Sequence, residues 1–235
     1  IEPIAAPSAI SRVVIQVDPG PVFTFGSVAI TPRAPTFEPT EGLATGEVAR
    51  VSTLRAGTAA QIEGWRQAGH AKAAVTRQDI TARHPEKTIN AAITLDPGPQ
   101  LRFGKLAISG ESAVREKRIR EIMGWPEGAV FDPDDIDKVE NRLRRTGSFA
   151  AATLTEAEVA NPDGTLDVTA TISDQLPRRY SFGAEVSTLD GLSVNALWLH
   201  RNIFGGAEQL QIYGDVSGAG GETDGIGYRL GARLT

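Results

Sequence analysis

The residues that could ligate a metal or move a proton are few and scattered. The three histidines, His70, His84 and His200, lie in separate segments without an acid or a second histidine at ligand spacing. Cysteine is absent, which excludes disulfides and thiolate metal sites. The acidic run 132–137 has proline at its second position, which does not fit the alternating oxygen ligands of a calcium-binding loop. A capped helix start explains this run better, because aspartate followed by proline opens many helices.

Glycine-rich and basic stretches give no better evidence of a ligand site. The pair Gly205-Gly206 and the run 218–221 lack the preceding strand and following helix that a phosphate-binding loop requires. The basic stretches 115–120 and 142–145 are interpreted as solvated helix faces of mixed charge. The formal net charge of −5 disfavours nucleic acid as a partner. No nucleophile stands beside a base, so the sequence predicts neither an enzyme nor a bound metal or cofactor.

A pattern repeated at fixed spacing organises the chain instead. Asp-Pro-Gly-Pro followed by an aromatic-glycine pair occurs at residues 18–26 and again at 96–104, with a degraded copy at 174–183. The aspartates that open the three copies are evenly spaced along the chain. Each copy ends one strand, turns through proline and begins the next strand. A regular repeat of this kind indicates successive small domains of similar fold.

The segments between these copies predict the order β-α-α-β-β in each repeat. Helical spacing of apolar residues ends at Gly69 in the first repeat and at Gly147, the equivalent position, in the second. Two strand-like runs follow each of these glycines. The proline-broken segment Thr31–Pro39 interrupts the place where the first helix of the first repeat would lie.

After Pro177 the pattern changes from helical spacing to alternation of apolar and polar residues. Tyr180 to Val186, Leu210 to Val216 and Tyr228 to Leu234 all follow it. Strands of this kind joined by glycine-rich turns are typical of a transmembrane β-barrel wall, although a soluble meander has the same period. About four such strands are present, and the smallest membrane barrels need ~8. We interpret this part as the beginning of a barrel.

These motifs together resemble a known family. The joint followed by β-α-α-β-β resembles the POTRA domain, the periplasmic repeat of the BamA/TamA outer-membrane assembly superfamily. The run from Arg201 to Leu210 resembles that family's Arg-Asn-Leu-Phe-Gly-x-Gly-Glu-x-Leu signature early in the barrel, with Ala207 where glycine is usual. The TamA-like branch is favoured, since BamA proteins usually carry five POTRA domains and two with a remnant are recognised here. The signature residues are Arg201, Asn202, Phe204 and Gly205.

The resemblance implies an α+β protein: tandem POTRA repeats, each with two helices on a three-stranded mixed sheet, followed by the first antiparallel strands of a transmembrane β-barrel. Residues 1–20 would be the last strand of a preceding repeat, 21–97 and 98–176 two POTRA domains, and 177–235 the N-terminal strands of a truncated barrel. Prolines fix the backbone, so the joints should restrict the angle between repeats. The joint residues are Pro19, Gly20, Pro97, Gly98 and Pro99.

The resemblance also implies where a partner would bind. A sheet edge carries unpaired N–H and C=O groups, so an extended partner can add itself as a strand. In POTRA domains the second strand is the edge, here Ala73–Ile80 and Ala151–Val159. Small side chains there suit clients of varied sequence, and an ordinary edge facing water is the alternative. The predicted partner-binding residues are Ala73, Ala74, Val75, Thr76, Ala151, Ala152, Thr153 and Leu154.

The function that the resemblance implies is the assembly or insertion of outer-membrane β-barrel or autotransporter proteins. The POTRA repeats would lie in the periplasm of a Gram-negative bacterium and the barrel in the outer membrane. Expected partners are unfolded outer-membrane proteins or autotransporters, outer-membrane lipid and an inner-membrane-anchored periplasmic protein. Two alternatives remain open. One is a two-partner secretion pore for a dedicated passenger; the other is a scaffold that docks periplasmic partners by its helical faces, around Arg118 or Arg144.

Overall fold

The structure is a computed structural model and describes residues 20–189, 191–221 and 225–235. Within these ranges, three β-sheets follow one another along the chain. The strand expected at residues 1–20 lies outside the described residues except for Gly20, and so does Pro19 of the first joint. The architecture agrees with the predicted fold class: two mixed α+β units precede an antiparallel sheet.

The first unit is built around its last strand. Strand β3 (Thr88–Asp96) pairs in parallel with β1 (Thr24–Thr31) and antiparallel with β2 (Ala74–Arg83). The sheet order β1-β3-β2 therefore leaves β2 at an edge. Phe25, Leu54 and Ile93 are buried between the sheet and the helix. This helix, α1 (Val51–Gln67), lies between β1 and β2 in the chain.

The second unit repeats this topology with two helices, and its elements are β4 (Arg102–Ser109), α2 (Glu116–Met123), α3 (Pro133–Arg145), β5 (Phe149–Glu156) and β6 (Thr165–Asp174). The sheet order β4-β6-β5 places β5 at an edge. Its core is dense, with Phe103, Leu143 and Leu166 fully buried. Among the helices of the described ranges, none is long and apolar enough to span a membrane.

The third sheet has one apolar and one polar face, as the alternation predicts. Its antiparallel strands are β7 (Arg178–Ser187), β8 (Gly191–Arg201), β9 (Gln209–Ala219) and β10 (Gly227–Leu234), in the order β10-β9-β8-β7. The register aligns Phe182, Ala196, Gly214 and Leu230 across one face. The next row carries Asn195, Asp215 and Arg229 on the opposite face, where Arg229 and Asp215 form an ion pair of 3.8 Å.

The first unit departs from the predicted order because it has one helix instead of two. Residues 32–50 form turns and bends where the second unit has α2, since their prolines and glycines interrupt helical hydrogen bonding. The segment packs directly on α1. Ala34 is buried and its N–H donates to Gln61 Oε1 at 2.8 Å. Gly64 allows this approach, because a Cβ there would lie 2.7 Å from Thr36 O.

The repeated aromatic-glycine pair has a structural role in both units. Its phenylalanine, Phe25 or Phe103, is buried in the core of its unit. The pairing register shifts directly after each phenylalanine, which marks a β-bulge. In the second unit Asp167 Oδ1 accepts a hydrogen bond of 2.7 Å from Lys105 N–H at this bulge. A glycine is needed at position 104 because Asp167 and the β6 backbone lie where a Cβ would stand.

The substitution Gly104→Ala should destabilise the second unit. The new Cβ would lie about 3.0 Å from the carbonyl carbon of Leu166 and in closer contact with Asp167 Oδ1, and overpacking of this kind typically costs ~1–3 kcal/mol. Urea denaturation followed by tryptophan fluorescence would measure the loss. Gly214→Ala in β9 is the control, because Gly214 does not have a left-handed φ and the nearest atoms to its Cβ position lie 3.6 Å away, an ordinary contact distance. Equal stability loss in the two variants would contradict this explanation of the pair.

Candidate partner-binding edges and domain joints

The edge strand of the first unit presents most of its side chains to solvent. Ile80 keeps 53% of its surface exposed although it is a large apolar residue. Ala73 precedes β2, so three of the four predicted edge residues lie within the strand. Of these, Thr76 lies at a register shift, and its hydroxyl donates to Thr94 O at 3.2 Å. The binding role of these residues stays a prediction.

An apolar groove runs beside this edge, between α1 and the sheet. It has a volume of about 340 Å³. Its apolar lining comes from Val51, Leu54 and Ile62 of α1 together with Ile80 and Ile93 of the sheet. Alternate side chains of an added strand would point toward such a groove. The sequence did not predict this groove, because each of its apolar residues taken alone is typical of a protein core.

The edge strand of the second unit contains all four of its predicted residues, Ala151 to Leu154. Thr153 is exposed, whereas the side chain of Leu154 is buried under α3. The backbone N–H of Leu154 donates to Glu140 Oε1 at 2.8 Å. This edge therefore already carries a side-chain acceptor, which the sequence did not predict.

The joint between the two units is a hydrogen-bonded turn. Asp96 Oδ1 accepts from the N–H of Gly98 at 3.0 Å, and Gly98 has the left-handed φ of +66° that glycine adopts readily. His70 Nδ1 lies 2.8 Å from Gly98 O. The N–H of Leu101 donates to Gly69 O at 2.9 Å. The end of α1 is thus bonded to the linker on both sides of the turn.

A cluster of oppositely charged side chains also stabilises the joint between the two units. Arg66 Nη2 and Lys72 Nζ lie 2.6 and 3.4 Å from the carboxylate of Glu156 at the end of β5. The Arg66 guanidinium also stacks over the Phe131 ring, 5.5 Å from its centroid. The sequence could not predict this cluster, because its members are far apart along the chain and each resembles a solvated surface charge.

The barrel-signature residues form the connection between β8 and β9. Arg201, at the end of β8, donates its N–H to Pro177 O at 2.7 Å and its guanidinium to Leu176 O at 2.9 Å. Asn202 accepts the N–H of Ala207 at 3.0 Å. Ala207 has a φ of +68°, which explains why glycine is usual at this position. Two other signature residues differ in exposure, since Phe204 is 65% exposed and Gly205 is half-buried.

This connection, which we call the signature turn (residues 202–208), docks on α2. Gly205 O accepts from Arg115 N–H at 2.9 Å and from its Nε at 3.2 Å. Gly206 O accepts from Arg118 Nε at 3.3 Å. Arg115 and Arg118 remain exposed, in agreement with the interpretation of 115–120 as a solvated face, and their bonds to backbone acceptors are an addition that leaves no sequence signal. Two further contacts join Ser148 Oγ to Ala207 O and Gln209 Nε2 to Thr146 O.

A single carboxylate organises the backbone of the signature turn. Glu208 Oε2 accepts the N–H of Gly206 at 2.9 Å. Hydrogen bonds from the backbone N–H groups of Glu208, Gly206 and Phe204, together with the nearby Arg115 charge, lower the pKa of Glu208 despite partial burial. The turn is thus stabilised by the ionised form of this side chain.

The side chains considered for metal binding have structural contacts. His84 packs edge-on against Phe23, and His200 against Trp198. Asp132 caps α3 as predicted, accepting the N–H of Asp134 at 2.9 Å. Over the described ranges, no group of three or more His, Cys, Asp or Glu residues is placed to hold a metal ion.

These features define a class of protein: successive α+β units with strand edges in the order described, leading into a two-faced antiparallel sheet. Residues 101–174 match the POTRA family, described as the surface antigen variable number repeat. The predicted resemblance to the BamA/TamA superfamily is confirmed, while the TamA-like branch stays a prediction.

Solved structures that are similar to this chain include two of BamA and one of CdiB. BamA from Haemophilus ducreyi lacking POTRA domains 1–3 is 18% identical, with a TM-score of 0.65 over 83% of this chain and 37% of that one. The POTRA3–5 segment of Haemophilus influenzae BamA is 18% identical, with a TM-score of 0.56 over 64% and 61% of the two chains. CdiB from Escherichia coli is 17% identical, with a TM-score of 0.49 over 97% and 42%. The chain therefore spans less than two thirds of each of these structures.

Deleting residues 97–99 should loosen the angle between the two units. Small-angle X-ray scattering should then give a larger spread of interatomic distances. Glu156→Gln should produce a smaller change in the same direction, because partly exposed ion pairs contribute roughly 1 kcal/mol or less. Asp79→Asn is its control, since it removes an exposed ion pair within the first unit. An unchanged profile for the deletion would contradict a fixed joint.

The signature turn should loosen only in acid. Because the folded-state pKa of Glu208 is lowered, its stabilising effect is complete above its usual value of 4.5 and is lost as the pH falls through the lowered pKa. Amide exchange of Gly206 and Arg115, corrected for the intrinsic rate, would follow this loss. Glu208→Gln should abolish the transition. Asp163→Asn, at another turn carboxylate with a lowered pKa, should leave it intact; the opposite pattern would reject the assignment.

Proposed function

We propose that this chain belongs to an outer-membrane assembly factor whose POTRA repeats receive unfolded β-barrel or autotransporter proteins by strand addition. The observation that carries the proposal is the sheet order, which leaves β2 and β5 each with a neighbour on one side only. The POTRA match of residues 101–174 and the fold shared with BamA support it.

Strand addition suits a client of varied sequence. An added strand bonds through its backbone, which is the same for every sequence, while side chains contribute through pockets. Beside β2 the apolar groove along α1 supplies such a pocket for alternate apolar side chains. Strands of outer-membrane proteins carry apolar residues at alternate positions, so their pattern matches both the edge and the groove.

The domain organisation follows from the same proposal. Residues 21–97 and 98–176 would be POTRA domains in the periplasm, and residues 177–235 the first strands of an outer-membrane barrel. The apolar face that contains Phe182, Ala196 and Leu230 would then contact lipid, and the face with Asp215 and Arg229 would point inward. An inner-membrane-anchored periplasmic partner fits the TamA-like branch. The mechanism requires no cofactor, since strand exchange replaces one set of hydrogen bonds with another.

Site-specific photocrosslinking in living cells tests the proposal. The probe is placed in the full-length protein at Val75 on β2 and at Thr153 on β5. Trapping of many different nascent outer-membrane proteins is the expected result. A single trapped passenger would instead indicate a two-partner secretion pore. No trapped client at either strand, with activity intact, would reject the edges as client sites.

A helix-face probe distinguishes the scaffold alternative. Arg144 is exposed on α3 and its guanidinium donates a hydrogen bond to Asn141 of the same helix, so a probe or Arg144→Glu there reports on docking by the helices. Arg118 is unsuitable, because its side chain bonds to the signature turn. If Arg144→Glu impairs assembly more than changes in β2 do, docking by the helical faces replaces strand addition as the proposed function.

A further inference from the structure

The edge of β5 can be mapped atom by atom. In an antiparallel pair, successive residues direct their N–H and C=O groups alternately toward the partner strand and away from it. Just beyond β5, the N–H of Ala157 donates to Asp167 O at 2.8 Å, so this residue faces the sheet. Because this direction alternates along the strand, Glu156, Leu154 and Ala152 direct their backbone N–H and C=O groups away from β6. These three residues form the outer edge of β5.

The middle N–H of this outer edge is occupied. Leu154 lies opposite Ala170 in the ladder, and its N–H donates to Glu140 Oε1 at 2.8 Å instead of to β6. Glu140 is half-buried on α3, the helix that packs over β5. A carboxylate is a strong acceptor for a backbone N–H. A partner strand that pairs along the whole of β5 must therefore displace it.

The first unit lacks this device. The position that corresponds to Glu140 in the first repeat is Ile62, whose side chain has no hydrogen-bond acceptor and lines the groove beside β2. Within the described residues, no side chain accepts a backbone N–H of β2, whereas β5 has one acceptor at its centre. Both strands therefore lie at a sheet edge, but in the described part of the chain only β5 has a side-chain acceptor already bonded to one of its backbone N–H groups.

We propose that Glu140 is a gate on the β5 edge, which an extended client strand opens by exchanging acceptors at Leu154. A backbone carbonyl of the client takes over the Leu154 N–H, and the Glu140 carboxylate turns into water and is rehydrated. No covalent bond changes. This inference rests on the proposed function and adds an order to it: β2 is open to a client at once, and β5 only after the gate opens.

The gate also limits unwanted pairing. An open strand edge can pair with any extended chain, including another copy of the same protein, and natural proteins often protect edges with charge. Glu140 does so from a neighbouring helix rather than from the strand itself. Glu140 leaves the small side chains of β5 free. It blocks only the backbone N–H of Leu154, with which a client strand would pair.

The experiment combines the crosslinking probes with variants of the gate in the full-length protein. Glu140→Ala removes the acceptor, Glu140→Gln keeps an amide oxygen at the same position, and Asp137→Ala removes an exposed acid from the same helix. Client crosslinks are counted at Thr153 and, as an internal reference, at Val75. Amide exchange of Leu154 in the purified full-length protein gives a readout that needs no client.

We expect Glu140→Ala to raise crosslinks at Thr153 and Leu154 exchange by about tenfold, which corresponds to a hydrogen bond of about 1.4 kcal/mol. Glu140→Gln should have a much smaller effect, and Asp137→Ala none. Crosslinks at Val75 should not change.

Two results would overturn the gate. If Leu154 exchange accelerates in Glu140→Ala while crosslinks at Thr153 stay constant, the contact exists and does not control client binding. If neither changes, the contact has no effect on the edge. Failure of the proposed function looks different: clients would then be absent at Val75 as well, in the parent protein and in every variant.

Discussion

The last strand of each repeat lies at the centre of its sheet, and this position determines where the neighbouring strands and the joint lie. Because β3 and β6 pair on both sides, the chain leaves each unit from the middle of its sheet, and the strand before the last must lie at an edge. The joint at Asp96 therefore begins at the centre of the sheet, opposite Ala74 at the start of β2. The contacts that fix it come from the end of α1, not from the body of the edge strand.

Patterns that depend on neighbouring residues could be predicted from the sequence. The Asp132 cap and the two faces of the third sheet each rest on local spacing. Contacts between distant residues could not. Arg66 with Glu156, Arg115 with Gly205 and Leu154 with Glu140 each join separate segments, and two of these contacts involve backbone atoms that every residue possesses. The groove beside β2 was likewise invisible, because it depends on how α1 lies over the sheet.

The signature turn gives a physical meaning to a motif first recognised by resemblance. Its residues do not line the apolar or polar face of the third sheet; they fold back to the second unit and bond to α2 through Gly205 and Gly206. The strained backbone of Ala207 is held there by Asn202 and Ser148. Sheet and POTRA domain are thus connected by the turn as well as by the short covalent linker near Pro177.

The ion pair between Lys72 and Glu156 has a consequence for polarity. It places the end of β5 beside the start of β2, so the two edge strands run head to tail across the joint. If a client strand paired antiparallel to β2, as proposed, it would reach β5 with the polarity for antiparallel pairing there as well. Under the proposed function, one extended segment would follow both edge strands without reversing its direction.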